Sequence, residues 1–96
     1  PDAGRRKVAW YYVKELLNLH QKATPALRDS PTTRGFFTGL AKNSIKTRLG
    51  GEFPEKPKEK ILEMAARQPV IAKKSFKEII SVFFRKIDES SGLDTE

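Results

Sequence analysis

The sequence predicts an all-α protein, a compact bundle of four or five short amphipathic helices. Four segments repeat their apolar residues with the period of an α-helix, and no segment alternates apolar and polar residues as a strand does. Proline and glycine separate the four segments. A chain of 96 residues, 38% of them hydrophobic, forms one domain that buries roughly 60–70% of its unfolded surface. We expect the bundle to cover residues 1–89 and a flexible acidic tail to cover residues 90–96.

The first predicted helix extends from about Arg6 to Lys22, and Thr24-Pro25 ends it because the residue before a proline disfavours the helical conformation. His20 lies on the apolar side of this helix. We expect it to pack or to contact the helix C-terminus, since no nucleophile accompanies it. The apolar face consists of Ala9, Val13, Leu16, Leu17 and His20.

The second predicted helix begins with Ser30 as a cap and Pro31 at its first position, where a missing N–H is tolerated. It ends at about Leu49, because Gly50-Gly51 supplies a left-handed stop. Its apolar face is broad and contains Phe36, Phe37, Leu40, Ala41, Ile45 and Leu49.

A charged linker precedes the two C-terminal helices, and we expect Phe53 to pin it to the core. The third predicted helix extends from Pro57 to Gln68. The fourth begins at Ile71 or Ser75 and ends at Glu89. Its start matches the capping box, in which a serine and a glutamate three residues later each accept the other's backbone N–H. Its apolar face contains Phe76, Ile79, Ile80, Phe83, Phe84 and Ile87.

Composition excludes several classes of protein. The chain has no cysteine and one histidine, so it has neither disulfides nor cysteine zinc sites nor thiol nucleophiles. It contains no P-loop, dinucleotide fingerprint or metal-ligand spacing. We therefore expect no enzymatic activity, no cofactor, no metal and no small-molecule substrate. No apolar run approaches the ~20 residues of a membrane span. We expect an excised domain of a longer intracellular protein, nuclear in a eukaryote and otherwise cytoplasmic.

The charge is distributed unevenly. The formal net charge is +7, but residues 1–86 contain 19 basic and 8 acidic residues, a net +11, whereas the last ten residues contribute −4. The basic residues follow the polar sides of the helices and form no single block. This pattern predicts an ordered basic surface rather than a disordered basic arm.

The polar side of the second helix is the first candidate site. Thr38, Lys42 and Lys46 follow each other at four-residue spacing and form a stripe. Gly35, Gly39 and Asn43 flank this stripe. Glycine inside a helix costs about 1 kcal/mol relative to alanine, so the two glycines indicate a contact. Two interpretations stay open: a phosphate backbone or an outside helix approaches the stripe, or the glycines receive a helix of this bundle and the lysines are solvated.

Two further basic clusters have competing structural explanations. The fourth helix exposes basic residues that a solvated amphipathic helix explains well: Lys73, Lys74, Lys77 and Arg85. The first helix begins with Arg5, Arg6 and Lys7, followed by Lys14, and we expect Tyr11 to be its exposed aromatic residue. Basic residues beside aromatic rings suit nucleic acids, whereas an arm at the excised end is the alternative. Arg48 ends the second helix, where the helix dipole by itself favours a cation.

The favoured function is nucleic-acid binding, to DNA or RNA, because the basic surface would release counterions from a phosphate backbone. The fourth helix is a possible recognition helix if a tight turn joins it to the third. The alternative is a protein–protein interaction module that binds an acidic or amphipathic segment, and binding to a membrane surface is less favoured. The candidate contacts are Arg5, Arg6, Lys7, Tyr11, Lys14, Lys42, Asn43, Lys46, Arg48, Lys73, Lys74, Lys77 and Arg85.

Overall fold

Five α-helices form in the part of the chain that the computed structural model describes, residues 2–52 and 54–91. They are α1 (Asp2–Lys22), α2 (Pro25–Arg28), α3 (Pro31–Arg48), α4 (Pro57–Ala66) and α5 (Phe76–Ser91). Within the same ranges the only β pairing is an isolated bridge between Ile71 and Lys74. The predicted all-α bundle is confirmed.

The helix ends differ modestly from the predicted ones. Helix α1 begins four residues earlier, at Asp2. The single-turn helix α2, which Pro25 opens, is too short to show periodicity. Helix α4 ends two residues early, at Ala66, and α5 continues two residues further, to Ser91.

Two predictions concern segments for which the structure gives little. The acidic tail was expected at residues 90–96, but Ser90 and Ser91 belong to α5. Residues 92–96 lie outside the described residues, and so does Phe53, which was expected to pin the linker.

Helix α1 is the centre of the bundle, because it contacts each of the other four helices. The core joins its apolar face to those of α3, α4 and α5, and aromatic pairs connect them edge to face. The ring centroids of Tyr12 and Phe84 are 5.1 Å apart, and those of Phe36 and Phe76 are 4.8 Å apart. The core residues are Tyr12, Val13, Leu16, Phe36, Phe37, Leu40, Ile61, Ala65, Phe76, Ile80, Phe83, Phe84 and Ile87.

The two predicted caps have different outcomes. At α5 the capping box is present: the Glu78 N–H donates to Ser75 Oγ (3.2 Å), and the Ser75 N–H donates to Glu78 Oε1 (3.4 Å). At α3 Ser30 occupies the predicted N-cap position, but its side chain accepts no hydrogen bond from the helix. Pro31 at the first turn already removes one unpaired N–H and fixes φ, so α3 begins without a side-chain cap.

Helix α3 is buried along only half of its length. Its buried residues end at Leu40, whereas Ile45 is 54% and Leu49 is 84% exposed. The prediction that both belong to the core face was wrong, because α3 packs mainly on α1 and α2 and its C-terminal half extends past the core. Gly50 has the predicted left-handed φ of 103°. A Cβ on Gly51 would lie 2.7 Å from the carbonyl oxygen of Lys46.

Candidate binding surface on helices α1 and α3

Ion pairs separate the basic residues into two groups. The first group lies in α4 and the linker before it, where carboxylates three or four residues away neutralise the cations. The pairs are Lys56–Glu59 (3.7 Å), Lys60–Glu63 (3.5 Å) and Arg67–Glu63 (3.4 Å). Between helices, Lys58 donates to Asp88 at 3.1 Å. These cations therefore contribute little free positive charge.

Helix α3 carries the opposite pattern. Its four cations, Arg34, Lys42, Lys46 and Arg48, lie in a stretch without any acidic residue, from position 30 to position 51. None of the four forms an ion pair with a residue that the structure describes. Their charge is therefore available to a partner.

Arg48 connects α3 to the basic start of α1. Its guanidinium lies over the ring of Trp10, 4.2 Å from the centroid. Residues three and four positions from Trp10 are its neighbours on the helix surface, and these include Lys7 and Lys14. Both lysines are exposed, and neither has an ion-pair partner within the described ranges.

The contact brings together two clusters that the sequence presented separately. The two helices are antiparallel, because His20 stacks on Phe37 at the other end, with 4.3 Å between ring centroids. We call the exposed cations of these two neighbouring helices the α1–α3 surface and define it by Lys7, Lys14, Lys42, Lys46 and Arg48.

An open cavity of about 330 Å³ borders this surface between α1, α3 and α4. Its apolar floor includes Val13, Leu40 and Ile61, and Lys46 and Asn43 line it from α3. The Asn43 carbonyl accepts a hydrogen bond from the Thr47 hydroxyl at 2.8 Å. Asn43, Lys46 and Trp10 all line this cavity, the first two from α3 and Trp10 from α1.

The two glycines of α3 have no partner inside the bundle. A Cβ built on Gly35 or Gly39 meets nothing within 4 Å among the described residues. The interpretation that they receive a helix of the same bundle is therefore wrong. Their spacing places them in one stripe with Lys42 and Lys46, so the outer side of α3 combines an accessible main chain with two free ammonium groups.

The remaining predicted residues of α1 are placed differently from the surface lysines. Arg5 pairs with Glu55 at 4.0 Å, and Arg6 is half-buried. Tyr11 was expected to be exposed, but it is half-buried and packs against the core. Its ring lies edge to face with that of Tyr12, at 6.0 Å.

The basic residues of the fourth predicted helix belong to a different place. Lys74, Lys77 and Arg85 line a groove between α2 and α5, and Lys73 lies in the turn before α5. No residue lines both this groove and the α1–α3 cavity. Nine residues, 67–75, separate α4 from α5, so the tight turn of a helix-turn-helix is not present there.

Sequence reasoning missed the Trp10–Arg48 contact and anticipated the position of His20. The contact depends on the antiparallel register of α1 and α3, which no local pattern encodes. The predicted packing role of His20 is confirmed, because its Nε2 lies 3.1 Å from the Arg28 carbonyl oxygen and its ring stacks on Phe37.

Other features of the described chain add no further site. Its His, Asp and Glu residues form no group of three that could hold a metal ion. None of its helices has the length and apolar character needed to cross a membrane. Comparisons with protein-family models, curated proteins and solved structures find no match to this chain.

Proposed function

We propose that this protein is a non-enzymatic domain that binds nucleic acid through the α1–α3 surface. The observation that carries the proposal is the unpaired, acid-free charge of α3. Lys42 and Lys46 lie next to two glycines with open space around them, and no carboxylate of that helix competes for them. A phosphate backbone is a ligand whose charge is opposite to that of these cations.

Electrostatics provides the main attraction. Each cation that neutralises a phosphate releases condensed counterions, which lowers the slope of log K against log salt by about 0.9 on duplex DNA. If all five cations of the α1–α3 surface engage, the slope is about −4.5. The ion-paired cations of α4 contribute less, because their neighbouring carboxylates repel phosphate.

Geometry favours contacts to the backbone over contacts to base edges. Gly35 and Gly39 have no side chain to keep a phosphate away from the main chain of α3. Trp10 is half-buried, and one of its faces already holds the Arg48 guanidinium, so that face does not stack on a base. We therefore propose binding with little preference for sequence.

The test is a titration of labelled duplex DNA, single-stranded DNA and duplex RNA at several salt concentrations. We expect micromolar or tighter binding at low salt to at least one of them. The double variant Lys42→Gln/Lys46→Gln removes two phosphate contacts, so it reduces the magnitude of the salt slope on duplex DNA by about 1.8 and weakens binding.

The matched control is Lys56→Gln/Arg67→Gln, which changes the net charge equally but removes two cations that are paired with Glu59 and Glu63. We expect this control to keep a slope close to that of the parent protein. Equal losses in the two variants would show attraction by net charge alone and would contradict a localised surface. Absence of binding at low salt to all three nucleic acids would refute the proposed function.

A further inference from the structure

A second basic surface lies on another pair of helices, α2 and α5. It is a groove of about 780 Å³ between α2 and α5, bordered near the start of α5 by the turn of residues 71–74. We call it the α2–α5 groove. It shares no residue with the cavity beside the α1–α3 surface.

The floor of the α2–α5 groove is apolar. Leu27 comes from α2, and Ile79, Val82 and Phe83 come from α5. Phe83 is buried, Leu27 and Ile79 are half-buried against the core, and Val82 is 37% exposed. The floor thus extends the core outward and leaves part of its apolar surface in contact with water.

The rim of the groove is cationic. Lys74, Lys77 and Arg85 are exposed, and none of them forms an ion pair with a described residue. The one acidic residue that lines the groove is Glu78, and its carboxylate accepts hydrogen bonds from the Ser75 hydroxyl (3.1 Å) and the Ser75 N–H (3.4 Å). Both hydrogen bonds go to Oε1 and leave the negative charge of Glu78 in place, so the residues that line the groove carry three positive charges and one negative charge.

The turn that carries Lys74 has an unusual backbone. Ala72 and Lys73 have positive φ values of 51° and 66°, and Ile71 and Lys74 exchange two backbone hydrogen bonds of 2.9 and 3.0 Å. Two consecutive residues with positive φ are characteristic of the type I′ turn, which normally contains Asn or Gly. Here a tight turn without glycine fixes the position of Lys74 at the rim.

We propose that the α2–α5 groove binds an acidic amphipathic helix of a partner protein. Apolar side chains of that helix, three and four residues apart, would cover Val82 and Ile79, and its carboxylates would pair with Lys74, Lys77 and Arg85. Lys77 and Arg85 are eight residues apart on α5, or about 12 Å, which matches about two turns of the bound helix. This interaction lies beyond nucleic-acid binding and uses a separate surface.

Charge complementarity combined with an apolar floor decides between a protein and a nucleic acid here. A phosphate backbone would satisfy the three cations, but it offers nothing apolar to cover Val82 and Ile79. An amphipathic helix satisfies both parts of the groove. Nucleic acid in this groove is therefore the competing outcome of the experiment.

The experiment uses a synthetic 14-residue peptide with leucines at helical spacing and glutamates at its other positions, and a scrambled peptide of the same composition. Amide NMR shifts of the ¹⁵N-labelled protein are followed during each titration. We expect the amphipathic peptide to shift the amides of Thr24, Ala26, Leu27 and residues 71–85, and the scrambled peptide to bind at least tenfold more weakly. Val82→Asp should weaken binding of the amphipathic peptide at least tenfold. An NMR spectrum typical of a folded protein for this variant separates the loss of binding from unfolding.

Controls distinguish this proposal from the proposed function. Lys42→Gln/Lys46→Gln should leave peptide binding unchanged, and Val82→Asp should leave the salt slope on duplex DNA unchanged. Equal binding of both peptides, absence of shifts at millimolar peptide, or displacement of the peptide by duplex DNA would each overturn the docking proposal. Failure of DNA binding alone would overturn only the function of the α1–α3 surface.

Discussion

Helices α3 and α5 are similar in length, with 18 and 16 residues, and each contains a phenylalanine pair. Helix α5 is buried from Phe76 near its start to Ile87 near its end. Burial of α3 ends at Leu40, and Leu49 beyond it is 84% exposed. Helix α5 lies against both α1 and α4, whereas α3 packs mainly on α1 and α2. Helix α5 thus serves the core along its whole length, whereas the C-terminal half of α3 remains outside the core.

The largest expected effect tests this difference in burial. Phe84→Ala should lower the free energy of unfolding by about 3–5 kcal/mol, because its ring is 1% exposed and packs edge to face on Tyr12. Leu49→Ala, a truncation at the end of α3, should stay within about 0.5 kcal/mol of the parent. Urea denaturation followed by circular dichroism measures both values. A loss above 2 kcal/mol for the Leu49 variant would show that the end of α3 belongs to the cooperative core.

A gain of stability is expected on the outer side of α3. Gly35→Ala/Gly39→Ala should raise the free energy of unfolding by up to about 2 kcal/mol, since alanine favours a helix by about 1 kcal/mol at each site and the added methyl groups meet open space. The same variant should bind duplex DNA more weakly, because the methyl groups keep the phosphate backbone away from α3. Thermal unfolding and the DNA titration give the two readouts. Tighter or unchanged DNA binding would contradict the role of the glycines.

The smallest effect compares the two helix starts. Ser75→Ala should cost about 1 kcal/mol, since the Ser75 hydroxyl accepts from the Glu78 N–H and donates to its carboxylate. Ser30→Ala should lower the free energy of unfolding by only a few tenths of a kcal/mol, because the Ser30 side chain makes no capping hydrogen bond to α3. Chemical denaturation under identical conditions compares the two variants. Equal losses would mean that Ser30 caps α3 in solution.

Local sequence signals were sufficient for most of the fold. Apolar periodicity located the four long helices, Pro31 marked the start of α3, and the spacing of Ser75 and Glu78 predicted their capping box. These signals act over one or two helical turns, so neighbouring residues determine the outcome. Helix α2 escaped prediction, because four residues are too few to display a period.

Features that depend on tertiary packing were not predictable in the same way. The periodicity that places Leu40 in the core continues to Ile45 and Leu49, but only the position of the neighbouring helices decides where burial stops. Thr33 shows the same limit of sequence-based prediction. Although this residue is polar, it is 1% exposed, and its hydroxyl has no hydrogen-bond partner among the described residues.

The candidate site was predicted as a set of residues but not as a surface. Charge and spacing identified the lysines of α3, and the same reasoning chose the basic start of α1. Their union depends on the contact between Arg48 and Trp10, which are 38 positions apart in the chain. The sequence also could not separate paired from unpaired cations reliably, since Lys58 finds its carboxylate on Asp88, thirty residues away.

The central position of α1 has a consequence for the order of folding during synthesis. Helix α1 is translated before its partners, yet Tyr12 packs on Phe84, which leaves the ribosome 72 residues later. At typical translation rates of about 5–20 residues per second, α5 is synthesised several seconds after α1, and until then the apolar face of α1 lacks this partner. Contacts so distant in sequence close late. During that interval the nascent chain exposes the surface that a chaperone would recognise, and a chain truncated before α5 would keep it exposed.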